Sequence, residues 1–139
     1  MSLSVVIPVY NEEKSIETTI LKLHSNLKNI DYELIVVNDC SVDRTKEVLN
    51  GMSNIKVLEH LKNKGYGASI KNGIKNSKHD FVAITDADGT YPNERLIEFY
   101  QIIKNDKLDM VVGSRTGSNV SIPLIRKPAK WFIGKLANY

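Results

Sequence analysis

The sequence has little of what would make a chain secreted, membrane-spanning or disordered. A single cysteine, Cys40, stands among its 139 residues. No intramolecular disulfide can form, a stapled secreted fold is excluded, and a reducing, cytoplasmic compartment is expected. Nowhere do 18 consecutive apolar residues occur, so no spanning helix is expected. The start of the chain reaches Pro8 and Asn11 without a basic segment or cleavage site, so no signal peptide is expected either. With 4 prolines and 8 glycines the chain is neither collagen-like nor low-complexity, and 42% hydrophobic residues are too many for wholesale disorder. The length suits one ordinary globular domain. Acidic residues are missing from residues 115–139. From Arg115 to Tyr139 there are five basic residues and no acidic ones, whereas residues 1–114 carry 14 basic and 16 acidic side chains. A basic end of this size is either a solvated surface or the seat of a phosphate-rich partner.

What is present is an alternation of short apolar runs with segments of helical period. Leu3–Val9, Tyr32–Asn38, Ile55–Glu59, Phe81–Thr85 and Asp109–Gly113 read as five strands. Between them, Ile16, Ile20, Leu23 and Leu27 mark a helix from about Glu13, with Asn11 as an expected cap and Glu12 and Glu13 at its positive end. Ser41 or Asp43 can cap a short helix through Val48 and Leu49, ended by Gly51. Tyr66–Asn76 opens on a Gly-rich turn, and Pro92 begins a helix with Leu96, Phe99 and Ile103 on one face. A last helical segment is expected over Lys127–Asn138. Within it Trp131, Phe132, Leu136, Lys130 and Lys135 make an amphipathic pattern that packs on the sheet or, as a lesser reading, touches a membrane surface. Strand–helix alternation of this kind gives an α/β fold with a mostly parallel sheet and helices on both faces. Ligands then sit beyond the carboxyl ends of the strands.

Polar and acidic groups recur at those ends. Pro8-Val9-Tyr10-Asn11-Glu12 follows the first strand, Asn38-Asp39-Cys40-Ser41 the second, and Asp86-Ala87-Asp88-Gly89 the fourth; the fifth runs into Gly113-Ser114-Arg115. Carboxylates converging on one crevice need a cation or hydrogen-bond donors to balance them. Asp86 and Asp88 form the natural site for Mg²⁺ or Mn²⁺, because hard divalent ions take one or two carboxylates and complete their shell with water and phosphate. An ionised Asp39 accepts hydrogen bonds and donates none, which suits uracil or guanine and not the N1 acceptor of adenine; its alternative role is to cap the helix that follows. Gly65-Tyr66-Gly67 fails as a dinucleotide fingerprint, since it follows the third strand and position 70 is Ile. His24, His60 and His79 lack zinc-ligand spacing, and no nucleophile elbow or catalytic-thiol pattern occurs.

Five stretches, SVVIPVYNEE, YELIVVNDCSVDRT, NKGYGASIKNGI, FVAITDADGTYP and VVGSR, together resemble the family 2 glycosyltransferases of GT-A fold, and within them the polyprenyl-phosphate glycosyltransferases. The resemblance implies inverting, metal-assisted transfer of a sugar from a UDP- or GDP-linked donor to an acceptor such as a polyprenyl phosphate or a glycan. It implies no nucleic-acid partner, and a place at the cytoplasmic face of the membrane. By matched position, Pro8, Tyr10, Asn11 and Glu12 resemble the first nucleotide-binding segment and Asp39 the base-binding aspartate. Asp86, Ala87 and Asp88 resemble the sugar-nucleotide and metal motif, with Asp88 and Arg115 in the catalytic roles and Arg115 and Arg126 facing the acceptor phosphate. Thr90 stands where mannosyltransferase-like members often carry a metal-assisting Gln. The family's catalytic domain continues further, so residues 1–139 are expected to be its nucleotide-binding portion, cut short at the C-terminal end. An inactive nucleotide-binding module and transfer to a saccharide hydroxyl are the alternatives.

Overall fold

The structure, a computed structural model, describes residues 2–113. The expected helix over Lys127–Asn138, its amphipathic pattern, Arg115 and Arg126 lie outside the described residues. The chain divides into two units, Met1–Asp109 and Met110–Tyr139. In the first, β1 (Ser2–Val9), α1 (Ile16–Leu27), β2 (Asp31–Asn38), α2 (Thr45–Asn50), β3 (Lys56–Glu59), α3 (Tyr66–Lys75), β4 (Val82–Ile84) and α4 (Leu96–Asn105) follow one another, with a 3₁₀ turn over Asn93–Arg95. The four strands pair in the order β3-β2-β1-β4, and every pairing is parallel.

The β-branched runs that predicted β1 and β2 are buried on both faces, as the centre of a parallel sheet requires. Period-2 alternation sorts them. Leu3, Val5, Ile7 and Val9 of β1, with Leu34 and Val36 of β2, join Ile16, Ile20, Leu23 and Leu27 of α1, Leu49 of α2 and Tyr100 of α4 in the larger core. Val6, Ile35 and Val37 form a smaller core on the opposite face with Leu58, where α3 packs on β1 and β2. That approach depends on Gly73: a Cβ there would lie 2.3 Å from Val6 Cγ1 and 3.0 Å from Cγ2. Gly73→Ala is expected to cost about 1–3 kcal/mol by overpacking, read as a fall of roughly 4–20 °C in Tm. An unchanged Tm would mean that α3 can lift from β1 freely.

Three local expectations are corrected. Asp109–Gly113 forms no strand: Met110 and Val112 are 74% and 73% exposed, and an apolar run becomes a strand only where a ladder partner takes its backbone groups. Asn11 does not cap α1. It sits at φ 56°, outside the helix, and α1 begins after a turn at Ser15. Finally, α4 begins at Leu96 and not at Pro92, after a 3₁₀ turn over Asn93–Arg95; it turns Leu96, Ile97 and Tyr100 to the core, where Tyr100 meets Phe81 edge-on at 4.9 Å.

Candidate active site

Parallel strands bring their carboxyl ends to one edge, so the segments after β1, β2 and β4 are neighbours. The first two are laced together by their polar side chains. Asn11 N–H donates to Ser41 Oγ at 3.0 Å, Glu12 N–H to Thr45 Oγ1 at 2.8 Å and Glu13 N–H to Asp43 Oδ2 at 3.1 Å. In return Val42 N–H donates to Asn11 Oδ1 at 2.8 Å and Arg44 N–H to Glu13 Oε2 at 2.9 Å. Neither cap candidate is the N-cap of α2, which is Arg44; Asp43, one residue earlier, accepts from Thr45 N–H at 3.0 Å. Burial raises the Asp43 carboxyl, but its hydrogen bonds to Thr45 and Glu13 outweigh that and hold it below the ordinary carboxylate range. Pro8 is buried inside β1 opposite Val37, beyond the last residue paired with β4. Its missing N–H therefore costs no rung on the β4 side. Tyr10 is 47% exposed at the rim.

Asp39 does not cap α2. It is buried, and both oxygens are turned to the loop between β3 and α3. Oδ1 accepts from His60 Nδ1 at 2.7 Å and Lys64 N–H at 2.8 Å, and Oδ2 from Gly65 N–H at 2.7 Å. Burial pushes its carboxyl up, yet these three donors pull it down further, and the net position is below the ordinary range. Gly65, at φ 88°, provides the left-handed turn that aims two successive N–H groups at one carboxylate. His60 lacks metal-ligand spacing in the sequence and carries no expectation there. The signal that would have found it is its position directly after β3, the same strand-end rule that picked out Asp39 and Asp86.

The fourth strand end carries the paired aspartates. Thr85 N–H bonds Val6 O at 3.1 Å and its buried hydroxyl meets Asn93 Oδ1 at 2.6 Å, which fixes the chain on entry. Ala87 is buried and its carbonyl accepts from Thr19 Oγ1 at 3.1 Å. Asp86 accepts from the Tyr66 hydroxyl at 2.8 Å, and Asp88, exposed, accepts from Thr90 N–H at 2.9 Å. Burial, then the bond to Asp86, pushes the Tyr66 phenol far up, so it remains a donor. Each aspartate keeps a second carboxylate oxygen that no described donor occupies. Two such hard anionic oxygens on adjacent turn positions suit Mg²⁺ or Mn²⁺, which need one or two carboxylates and otherwise bind water and phosphate. No cluster of three or more His, Cys, Asp or Glu exists among the described residues, so a closed, all-protein metal cage is not what this edge offers. A cleft of about 330 Å³ between α1 and residues 89–94 is lined by none of these carboxylates.

Residues 4–138 match the model of glycosyl transferase family 2. The chain belongs to that family. A dolichol-phosphate mannosyltransferase of Pyrococcus furiosus is 35% identical over 118 residues, covering 83% of this chain and 33% of the relative. A dolichyl-phosphate beta-glucosyltransferase of Trichomonas vaginalis is 38% identical over 128 residues, covering 81% and 39%. Among solved structures, S. aureus TarS 1–349 in complex with UDP superposes with a TM-score of 0.71 at 26% identity, over 88% of this chain and 38% of that one. The chain thus spans about a third of each relative's length. The expected GT-A architecture, a mostly parallel sheet with helices on both faces, is that of this glycosyl transferase family 2 chain. No helix among the described residues is long and apolar enough to cross a membrane.

Proposed function

We propose that this family 2 chain forms the donor side of a glycosyltransferase that moves a sugar, with inversion, from a UDP- or GDP-linked donor to a polyprenyl phosphate. The observation that carries the reading is the meeting of Asp39, Asp86 and Asp88 at one sheet edge, each with acceptor capacity left open. In this reading Asp39 takes an N–H of the base, and Tyr10, Asn11 and Glu12 border the nucleoside. Asp86 and Asp88 hold a divalent cation, Mg²⁺ or Mn²⁺, whose chemistry is to neutralise the leaving diphosphate. Tyr66 keeps one oxygen of Asp86 engaged and so orients the other. Arg115 and Arg126 are the basic positions proposed to meet phosphate.

A polyprenyl phosphate is already an anion and needs no general base, whereas a sugar hydroxyl needs one. The basic, acid-free stretch after residue 114 suits the former, and the relatives that act on dolichol phosphate support it. The test is transfer of labelled sugar from UDP- and GDP-linked donors to polyprenyl phosphate in detergent, with Mn²⁺ or with EDTA, and the anomeric configuration of the product read by NMR. Metal-dependent, inverted product is expected. Transfer to a saccharide hydroxyl instead would overturn the acceptor assignment, and nucleotide binding with no transfer would make the chain a binding module.

A further inference from the structure

We propose that His60 makes this site selective for uridine over guanosine nucleotides, by closing one oxygen of Asp39 so that the carboxylate presents a single acceptor position. The inference rests on Asp39 being the base acceptor. It begins with a proton that the hydrogen-bond network assigns. Asn76 Nδ2 lies 2.9 Å from the backbone carbonyl of Asn72, an obligatory acceptor, so that nitrogen is the amide donor. The same Nδ2 lies 3.1 Å from Asn72 Oδ1, which must then be the oxygen. Asn72 Nδ2 is consequently the group 3.0 Å from His60 Nε2, and it donates there. His60 is therefore the neutral imidazole with its proton on Nδ1, and that proton goes to Asp39 Oδ1 at 2.7 Å. Both side chains are enclosed, at 4% exposure for His60 and 5% for Asp39, and the pair carries one charge, that of the carboxylate.

The count of acceptor positions follows. A carboxylate oxygen has two lone-pair directions. Oδ1 gives one to His60 and one to Lys64 N–H; Oδ2 gives one to Gly65 N–H and keeps one. Uracil offers one imide N–H on its pairing edge and needs one acceptor. Guanine offers N1–H and the N2 amine side by side, and their carboxylate complement is bidentate, one position on each oxygen. With Oδ1 filled, guanine can place one donor and leaves the other buried and unpaired, a loss worth about 1–3 kcal/mol. Asp39 is itself enclosed, so a donor held against its filled Oδ1 gains no bridging water from that side.

Calorimetric titration of the purified chain with UDP and with GDP, in the presence of Mn²⁺, tests this. UDP is expected to bind about 5- to 150-fold more tightly than GDP, the ratio that one unpaired donor gives. His60→Leu removes the donor, opens Oδ1 and should bring the ratio towards one. His60→Asn returns an N–H near the place of Nδ1 and should restore the preference. The ratio is the diagnostic, since general loosening of the site weakens both nucleotides alike. GDP binding as tightly as UDP to the unaltered chain overturns the proposal and leaves the donor-site reading standing. Binding of neither nucleotide by the folded chain overturns both. A ratio unmoved by His60→Leu in a variant that keeps its circular dichroism assigns the selectivity elsewhere and overturns the role of His60. Should His60→Leu fail to fold, the unaltered chain and His60→Asn still decide.

Discussion

Asp88→Ala is expected to lower metal-dependent nucleotide binding and sugar transfer by at least about 100-fold while leaving the fold intact. The two effects separate because of where Asp88 sits. Its carboxylate is exposed on the turn after β4, and its bond among the described residues, from Thr90 N–H at 2.9 Å, closes a turn at the surface. Losing such a bond costs about 1 kcal/mol or less, so Tm should move by a few degrees at most, roughly. The binding loss is larger. Even groups that merely orient a metal ligand are worth about 10- to 100-fold in metal affinity, and a direct ligand is worth more. Titrating UDP with and without Mn²⁺ checks it: the enhancement by metal expected of the native chain should vanish in the variant. Retained metal dependence would show that the ion is held elsewhere. Asp86→Ala removes the other proposed ligand and should lose the metal enhancement as well, while the exposed Tyr66 hydroxyl that donated to Asp86 turns to water.

What could be read in the residues, and what could not, divides along a physical line. Strands β1 and β2 were legible because burial on both faces demands a continuous run of buried residues rich in β-branched ones, and Val5–Val9 and Leu34–Val37 supply it. The positions of Asp39, Asp86 and Asp88 followed from topology, since any parallel sheet gathers its carboxyl ends. Partner choice was not legible. Asn11 before a helix looks like a cap, yet Val42 N–H across the edge offers its side chain a partner, and the backbone of Asn11 takes φ 56° to meet it. Asp39 before α2 has the same local grammar as a cap, but Asp43 is better placed for Thr45 N–H and leaves Asp39 for donors 21 to 26 residues away. Asp109–Gly113 has the composition of a strand without a ladder to join. Apolar periodicity reports which face is buried; it carries no record of which loop will lie opposite a given carboxylate.

Asp39→Ala, in contrast to Asp88→Ala, should damage both fold and site. Removing the carboxylate leaves the His60 Nδ1 proton without an acceptor in an enclosed pocket and loosens Lys64 and Gly65, whose N–H groups hold the entry to α3. A stranded buried donor costs about 1–3 kcal/mol, and with the two backbone bonds the expected loss is about 2–4 kcal/mol, seen as a fall in Tm of roughly 10–25 °C. The effect should depend on pH in a definite direction. Burial raises the Asp39 carboxyl, but the donors prevail and its folded value lies below the ordinary 3.8. A depressed folded value means that the unfolded chain binds a proton first, so the contribution of Asp39 is complete above about pH 4 and is lost as pH falls through the ordinary value toward the lowered one. The stability gap between native chain and variant, measured by urea denaturation, should be widest near neutrality and narrow below pH 4. Asp43 and Glu33 are held low in the same manner, so the variant keeps an acid-unfolding limb of its own, shallower than that of the native chain. A gap that stayed constant down to strong acid would mean that Asp39 contributes by packing alone. The charged acceptor proposed to take the base would then have no stability signature, and the hydrogen bonds proposed to leave it a single open position would not be the ones drawn between β2, His60 and the start of α3.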